Sequence, residues 1–219
     1  MPQRYPTEKN LQEVSSLADL KAPRNLESGE SGSVPGFVDR ACAGDPEAFH
    51  AIFQRYGRPV MAFIYHLLGD RAHAEELTQE TFFRAFRGLA RMQVGAKLST
   101  WLFGIARNVV REAIRDKRRN YHEVGLEETA SRTVPDERAG PDECFMSAEL
   151  QRTIRRSLGD LSDDQRAVFV LKVLNKMRYQ EISLITGSSI GKLKTDLHRA
   201  RQHMRQRLQP YLVGQVPGR

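Results

Sequence analysis

Cysteine, tryptophan and long apolar runs are all scarce in this sequence. Its 219 residues include two cysteines and one tryptophan. Cys42 and Cys144 lie far apart, without a neighbouring Cys or clustered His, so we expect reduced structural or surface thiols rather than a disulfide framework. No stretch of about 18 apolar residues is present to span a membrane. The N-terminal residues lack the apolar core of a signal peptide, so we expect a cytoplasmic protein.

The motifs of several common enzyme chemistries are missing too. The sequence has no GxxxxGK[ST] loop, no HExxH and no GxSxG. His66 and His73 are seven residues apart and lack a third nearby ligand. Asp163 and Asp164 are adjacent, so on a helix they point to different sides and cannot form a catalytic carboxylate pair on their own. We predict no enzyme activity, no metal site and no cofactor.

Positive charge is what the sequence has in excess. It contains 34 Lys and Arg against 27 Asp and Glu, a formal net charge of +7, which favours a polyanionic partner such as nucleic acid. Each ordered segment has a helical hydrophobic period, and none alternates with period two. We therefore predict an all-α protein of two small helical domains joined by a flexible acidic linker.

Composition sets the expected domain boundaries. Polar, Pro- and Gly-containing segments are typical of disordered extensions and linkers. The expected parts are a disordered N-terminal extension (1–35), a first helical domain (36–119), an acidic linker (120–144), a second helical domain (145–209) and a tail (210–219).

Capping residues mark where several helices should start. Asp45 precedes Pro46, a favourable first helical residue, and Asp70 can cap the next helix. Ser162 with Gln165 three residues later is a capping box. The helical period after this box predicts three inward-facing side chains: Val168, Leu171 and Leu174.

Residues 179–207 have the pattern of a helix, a tight turn and a basic second helix. Gly187 falls where a helix end favours positive φ, and Ser188 and Ser189 can cap the second helix. One stripe of that helix is apolar: Ile190, Leu193, Leu197 and Ala200. The remaining faces are basic, which is typical of a DNA-binding helix-turn-helix.

A second basic helix is predicted over residues 99–118, with Ser99 as its cap. Trp101 stands near its start and has two interpretations. The ring is either an anchor in the core or a surface that stacks on unpaired bases.

Three blocks of sequence resemble one family. DRAHAEELTQETFFRAFRG (70–88) resembles the polymerase-binding helix of bacterial sigma factors, and STWLFGIARNVVREAIRDKRR (99–119) resembles their promoter-melting helix, which reads the −10 element. Residues 161–205 are similar to their −35-binding domain. The order of the blocks and the acidic linker resemble the extracytoplasmic-function group.

The resemblance implies a subunit of RNA polymerase that directs initiation at promoter DNA, contacts the β and β′ subunits and is bound by an anti-sigma factor. The implied polymerase-binding residues are Leu77, Gln79, Glu80, Phe82 and Arg84. The implied −10 residues are Trp101, Arg107, Asn108, Arg111, Arg115, Arg118 and Arg119. The implied −35 residues are Lys192, Lys194, Thr195, His198, Arg199 and Arg201.

Asp196 departs from the family pattern, which often has a basic residue there. Its carboxylate either repels phosphate or accepts from a cytosine amino group. The alternative function is a two-domain helix-turn-helix regulator that binds operator DNA without being a polymerase subunit. That alternative leaves the basic helix headed by Trp101 unexplained.

Overall fold

The computed structural model describes residues 34–92, 96–123 and 148–212. Over these ranges the regular structure is helical, without a strand, so the predicted all-α class is confirmed there. The α-helices are α1 Val34–Cys42, α2 Pro46–Leu68, α3 Arg71–Gly88, α4 Leu98–Glu123, α5 Ala148–Gly159, α6 Asp163–Phe169, α7 Tyr179–Thr186 and α8 Ile190–Leu212. A 3₁₀ turn at Leu89–Arg91 follows α3, and a π-helix at Val170–Leu174 continues α6.

Three expected regions fall largely outside this description. Residues 1–33 hold most of the predicted extension, residues 124–147 hold most of the predicted linker, and residues 213–219 hold most of the predicted tail. Among the described residues, α1 begins at Val34 and α4 ends at Glu123, so these helices reach slightly beyond the predicted first domain at both ends. No helix among the described residues is both long enough and apolar enough to cross a membrane.

The predicted helix starts at three caps are confirmed. The Asp45 side chain accepts from two backbone N–H groups in the first turn of α2. The Asp70 side chain accepts from one N–H group of α3. Ser162 and Gln165 form the reciprocal capping box at α6. Each cap satisfies helix N–H groups that have no partner within their own helix.

The predicted cap of α4 at Ser99 is wrong. The helix begins one residue earlier, at Leu98, and the N–H of Trp101 donates to the carbonyl of Lys97 at 3.1 Å. Ser99 is therefore buried within the first turn. Lys97 takes the position before the helix, and its side chain contacts the second domain.

The first domain packs α2, α3 and α4 around aromatic and aliphatic side chains. Phe63 and Phe103 are fully buried and meet edge-on, with ring centroids 5.3 Å apart. Thr78 and Thr81 on α3 are also buried. Their hydroxyls donate to backbone carbonyls one turn earlier, both at 2.7 Å, so their burial leaves no unpaired donor.

The second domain contains the helix-turn-helix. Gly187 ends α7 with φ 69°, the left-handed conformation that glycine adopts without steric cost. The Ser189 side chain accepts from the backbone N–H of Lys192 at 3.3 Å, so Ser189 caps α8. The apolar stripe starts later than predicted, because Ile190 is 37% exposed whereas Leu193 is 2% exposed.

A π-helix changes which residues face inward after α6. Val168 and Leu171 are fully buried as predicted, but Leu174 is 36% exposed. The N–H of Asn175 donates to the carbonyl of Val170, five residues back, at 3.0 Å. A π turn holds more residues than an α turn, so the predicted three-to-four-residue period fails there and Leu174 turns outward.

The two domains pack against each other. A single apolar cluster contains Leu102 and Val109 of α4 together with Ile182 and Ile185 of α7. Arg166 of α6 donates to the carbonyl of Leu67 near the end of α2, at 2.6 Å. The described parts of the two domains therefore share a continuous core.

Candidate nucleic-acid interface

The second half of α4 presents a basic face to solvent. Its exposed cationic side chains are Arg111, Arg115, Lys117, Arg118 and Arg119. Asn108 is exposed about one turn before Arg111 and about two turns before Arg115. The positions follow from the apolar stripe, since Leu102, Ala106, Val109 and Val110 are buried in the core. The structure thus brings most of the predicted −10 residues onto one surface.

Arg107 is the exception among the predicted −10 arginines. It is only 8% exposed, and its Nη2 atom lies 3.7 Å from Oδ1 of Asp164 on α6. Burial first, and then the nearby charge of Arg111, lower the pKa of the Arg107 guanidinium, while Asp164 opposes that shift. The contact means that the second domain covers this residue.

Trp101 is partly buried and packs against the core. A Cβ atom placed on Gly88 would lie 3.3 Å from the Trp101 ring. Gly88 therefore permits a close approach between the end of α3 and this ring. One side of the Trp101 ring packs against the core, as expected for an anchor. The rest of the ring is accessible to solvent.

The second helix of the helix-turn-helix exposes all six predicted −35 residues: Lys192, Lys194, Thr195, His198, Arg199 and Arg201. The opposite side of α8 is buried through Leu193, Leu197 and Ala200. Lys194 and His198 are four residues apart, as are Thr195 and Arg199, so these four share one side of the helix. That arrangement suits a helix lying in a major groove.

Lys192 and Asp196 are engaged with each other. The Nζ atom of Lys192 donates to Oδ2 of Asp196 and to Oδ2 of Asp164, both at 2.7 Å. Hydrogen bonds and charge from the two carboxylates raise the pKa of Lys192. Asp196 is 8% exposed. The Asp196 carboxylate is turned to Lys192, and the two roles anticipated for it toward DNA stay predictions.

The predicted polymerase-binding residues divide between the core and the surface. Leu77 and Phe82 are buried and support α3 from beneath, whereas Gln79, Glu80 and Arg84 are half-buried. Arg84 donates to Glu80 and to Glu112 of α4, both at 2.6 Å. Hydrogen bonds from Arg84 to these two carboxylates raise its pKa. Arg84 thus ties α3 to α4.

Phe83 is an aromatic residue of α3 that the sequence analysis did not include among the candidate polymerase-binding residues. Its side chain is 37% exposed, and the guanidinium carbon of Arg87 lies 5.5 Å from its ring centroid. The signal was available in the helical period: Phe82 faces the core, and adjacent residues on a helix point about 100° apart. Phe83 therefore had to lie away from the core.

Two basic helix faces on one all-helical frame, one of them the second helix of a helix-turn-helix, define a DNA-binding protein. The chain matches the family models of Sigma-70 region 2 over residues 52–120 and of Sigma-70, region 4 over residues 151–204. These matches correspond to the first and second domains. The basic face of α4 lies in the first and α8 in the second.

Named relatives and solved structures agree with the two models. The sequence is 33% identical over 170 residues to the ECF RNA polymerase sigma factor SigW of Bacillus subtilis, covering 75% of this chain and 91% of the relative. It is 30% identical to the RNA polymerase sigma factor CarQ of Myxococcus xanthus, covering 78% and 95%. The sigma factor RpoE of Bartonella quintana, solved with the anti-sigma factor NepR, superposes with TM-score 0.62 at 26% identity, covering 74% of this chain and 96% of that one. CnrH, solved with the cytosolic domain of CnrY, gives TM-score 0.59 at 20% identity, covering 79% and 95%, and shows the shared fold alone.

The chain belongs to the extracytoplasmic-function sigma factors of the sigma-70 family. It acts with RNA polymerase to direct promoter-specific initiation of transcription. This membership replaces the alternative of an operator-binding regulator that is not a polymerase subunit.

Proposed function

We propose that the surfaces on α3, α4 and α8 each make a different contact during transcription initiation. The basic face of α4 holds the separated −10 strand, α8 reads the −35 duplex and α3 docks on the β′ subunit. The observation that carries this assignment is the exposure of basic side chains on two helices whose other sides are buried.

On the −10 side, the arginines of α4 provide phosphate contacts, and Asn108 and Trp101 lie next to the base they help to hold. Taking a base out of the stack costs a few kcal/mol. Cationic contacts to the strand, together with stacking at about 1–3 kcal/mol per base, offset this cost. Arg111 and Arg115 are exposed on the same side as Asn108, which supports a shared strand-binding surface.

On the −35 side, Lys194, Thr195, His198 and Arg199 enter the major groove. Arg201, on a neighbouring side of α8, contacts the phosphate backbone. Lys192 contributes positive charge near the start of the helix while its ammonium group stays bound to Asp196.

On the polymerase side, Gln79, Glu80 and Phe83 form the contact surface of α3. Leu77 and Phe82 hold that surface in place from the core. Arg84 keeps α3 in register with α4 through Glu112, so polymerase docking and strand binding share a rigid frame.

An anti-sigma factor is the expected inhibitor. The RpoE structure that superposes on this chain was solved with its anti-sigma factor NepR. We infer that a partner of that class binds this chain and covers its polymerase- and promoter-binding surfaces.

Run-off transcription with purified core polymerase, with and without this chain, tests the assignment. A promoter-dependent product and co-elution with core are expected. Arg199→Ala should weaken binding by about 1–3 kcal/mol at promoters that carry its preferred base. Arg118→Ala should weaken binding uniformly and reduce the salt slope by about one. Arg152→Ala, on the exposed side of α5, is the matched control. Equal binding of Arg199→Ala and the control to every promoter would exclude base reading by Arg199.

A further inference from the structure

Asp196 lies among the residues of α8 assigned to the −35 element, where contact with DNA favours positive charge. It stands three residues before Arg199, so the two side chains are neighbours on the helix. A carboxylate and a guanidinium at this spacing attract each other. Arg199 is nevertheless exposed, and no carboxylate pairs with it in the part of the chain that the structure describes. Spacing alone therefore does not decide which partner Asp196 takes.

Lys192 takes the Asp196 carboxylate instead. Its Nζ atom donates to Oδ2 of Asp196 at 2.7 Å. Lys192 precedes Asp196 by about one helical turn, whereas Arg199 follows it. The hydrogen bond therefore draws the carboxylate toward the start of α8 and away from Arg199. In this position Asp196 is almost completely covered.

Asp164 on α6 holds the Lys192 ammonium group in place. The same Nζ atom donates to Oδ2 of Asp164, also at 2.7 Å. A cation that precedes its carboxylate partner by four residues is in the less favourable order for such pairs, and an isolated exposed pair contributes little. The hydrogen bond from Lys192 lowers the pKa of the Asp164 carboxyl, and burial opposes that shift. The second carboxylate thus fixes Lys192 from a neighbouring helix, which favours Lys192 over Arg199 as the partner of Asp196.

We propose that Lys192 is a positioning residue for −35 recognition: it withholds the Asp196 carboxylate from Arg199 and so leaves the Arg199 guanidinium available to DNA. This inference rests on the proposed reading of the −35 duplex by α8. It goes beyond that proposal because Lys192 affects sequence preference without touching the duplex. While Lys192 is in place, Asp196 meets neither phosphate nor base.

Sequence preference at the −35 element tests this role. The full-length chain, bound to core polymerase, selects from promoter duplexes randomised across the −35 element, and Arg199→Ala identifies the base position that Arg199 reads. Lys192→Met keeps the apolar stem but loses the ammonium group. It should weaken preference at that same position and lower affinity for the selected sequence by a factor of about two to five, the range for one exposed ion pair. A merely structural defect would instead weaken binding to all sequences alike.

A second substitution tests whether Asp196 is responsible. Adding Asp196→Asn to Lys192→Met removes the competing charge, so it should restore the preference and bring the affinity to within a factor of about 1.5 of the unaltered chain. Lys194→Met is the matched control, because it removes the same charge from an exposed position two residues further along α8. Its loss of affinity should not be restored by Asp196→Asn. Asp164 stays unaltered in all variants because it also faces Arg107, at 3.7 Å.

The outcomes separate this inference from the proposed function. If Asp196→Asn restores neither preference nor affinity to Lys192→Met, Lys192 acts by touching DNA or by anchoring α8 to α6, and its role toward Arg199 is wrong. Unchanged preference in Lys192→Met would also overturn that role, while base reading by Arg199 would stand. If Arg199→Ala selects the same sequences as the unaltered chain, the proposed base reading by Arg199 is wrong, and the role of Lys192 fails with it.

Discussion

Replacing Arg166 with methionine should destabilise both domains at once. The guanidinium of Arg166 donates to four backbone carbonyls: Leu158 at 2.8 Å, Gly159 at 2.8 Å, Leu161 at 3.0 Å and Leu67 at 2.6 Å. Three of them lie at or just beyond the end of α5 and one lies in the last turn of α2. Carbonyls at a helix end have no partner within their own helix, so one side chain satisfies both ends. Burial lowers the pKa of Arg166, and Asp163 and Asp160 oppose that shift.

The size of the effect follows from these four contacts. A hydrogen bond from a charged group contributes about 1.5–3 kcal/mol, so four independent bonds would contribute roughly 6–12 kcal/mol. The true loss is smaller, because water can reach the carbonyl of exposed Gly159 and methionine keeps much of the apolar packing of the arginine stem. We expect a loss of about 2–4 kcal/mol in the free energy of unfolding for Arg166→Met.

Urea unfolding followed by circular dichroism at 222 nm measures this loss. Arg152→Met is the matched control, since Arg152 is exposed on α5 and should change stability by less than about 0.5 kcal/mol. Because the domains share a core, Arg166→Met should shift a single transition to lower urea rather than split it in two. A loss within about 0.5 kcal/mol of the control would refute the view that Arg166 caps the two helix ends.

Three further predictions concern single positions. Gly187→Ala should lower the free energy of unfolding by about 1–2 kcal/mol, measured with heat or urea, because residue 187 has a positive φ. Gly191→Ala, in open space within α8, should instead raise the free energy of unfolding by about 0.5–1 kcal/mol. Equal effects of the two substitutions would contradict an origin in the backbone conformation. Phe83→Ala should weaken co-elution with core polymerase with little loss of stability. Phe82→Ala should lower the free energy of unfolding by about 3–5 kcal/mol. Normal co-elution of the Phe83→Ala variant would show that Phe83 is not part of the docking surface. Burial lowers the pKa of His66 to about 4. The contribution of neutral His66 to stability should therefore be lost as pH falls from 6.5 towards 4. A midpoint above 6 for His66 in an NMR titration would contradict this.

Local capping chemistry made the helix starts predictable. Asp45, Asp70 and the Ser162–Gln165 box act on N–H groups within three residues, so a short stretch of sequence contains all the participants. The buried and basic sides of α4 and α8 follow from the helical period in the same way. Ser99 failed as a cap because the carbonyl of Lys97, two residues earlier, accepts the first helical hydrogen bond. Propensity does not decide between positions this close together.

The register after α6 was less predictable. The period that placed Leu174 in the core assumes α-helical winding throughout. The π-helix at Val170–Leu174 inserts an extra residue into the turn, and the side chain of Asn175 donates to the carbonyl of Val170 at 3.1 Å. No hydrophobic pattern in the sequence distinguishes this winding from an α-helix, so the error falls on Leu174, the last residue of the π-helix.

Resemblance proposed α3 as the polymerase-binding helix but did not decide which of its residues reach the surface. It placed Leu77 and Phe82 among the contact residues, although the packing of α3 on α2 buries both. It also included Arg84, which donates to Glu80 on its own helix and holds α3 to α4 through Glu112. Phe83 emerges only when the buried side of α3 is known. A family pattern identifies important positions, and packing then separates those that touch a partner from those that support the surface.

Asp163 and Asp164 show why the contact between domains was not predicted. Their place in the first turn of α6 already has a complete local explanation, since carboxylates there favour the positive end of the helix dipole. Local reasoning therefore ends once the helix start is explained. In the folded chain the same carboxylates reach Arg118 and Arg107 across the domain boundary, and only the packing of α7 on α4 brings them there. A charge that stabilises its own helix can thus also contact a basic side chain more than 40 positions away in the sequence.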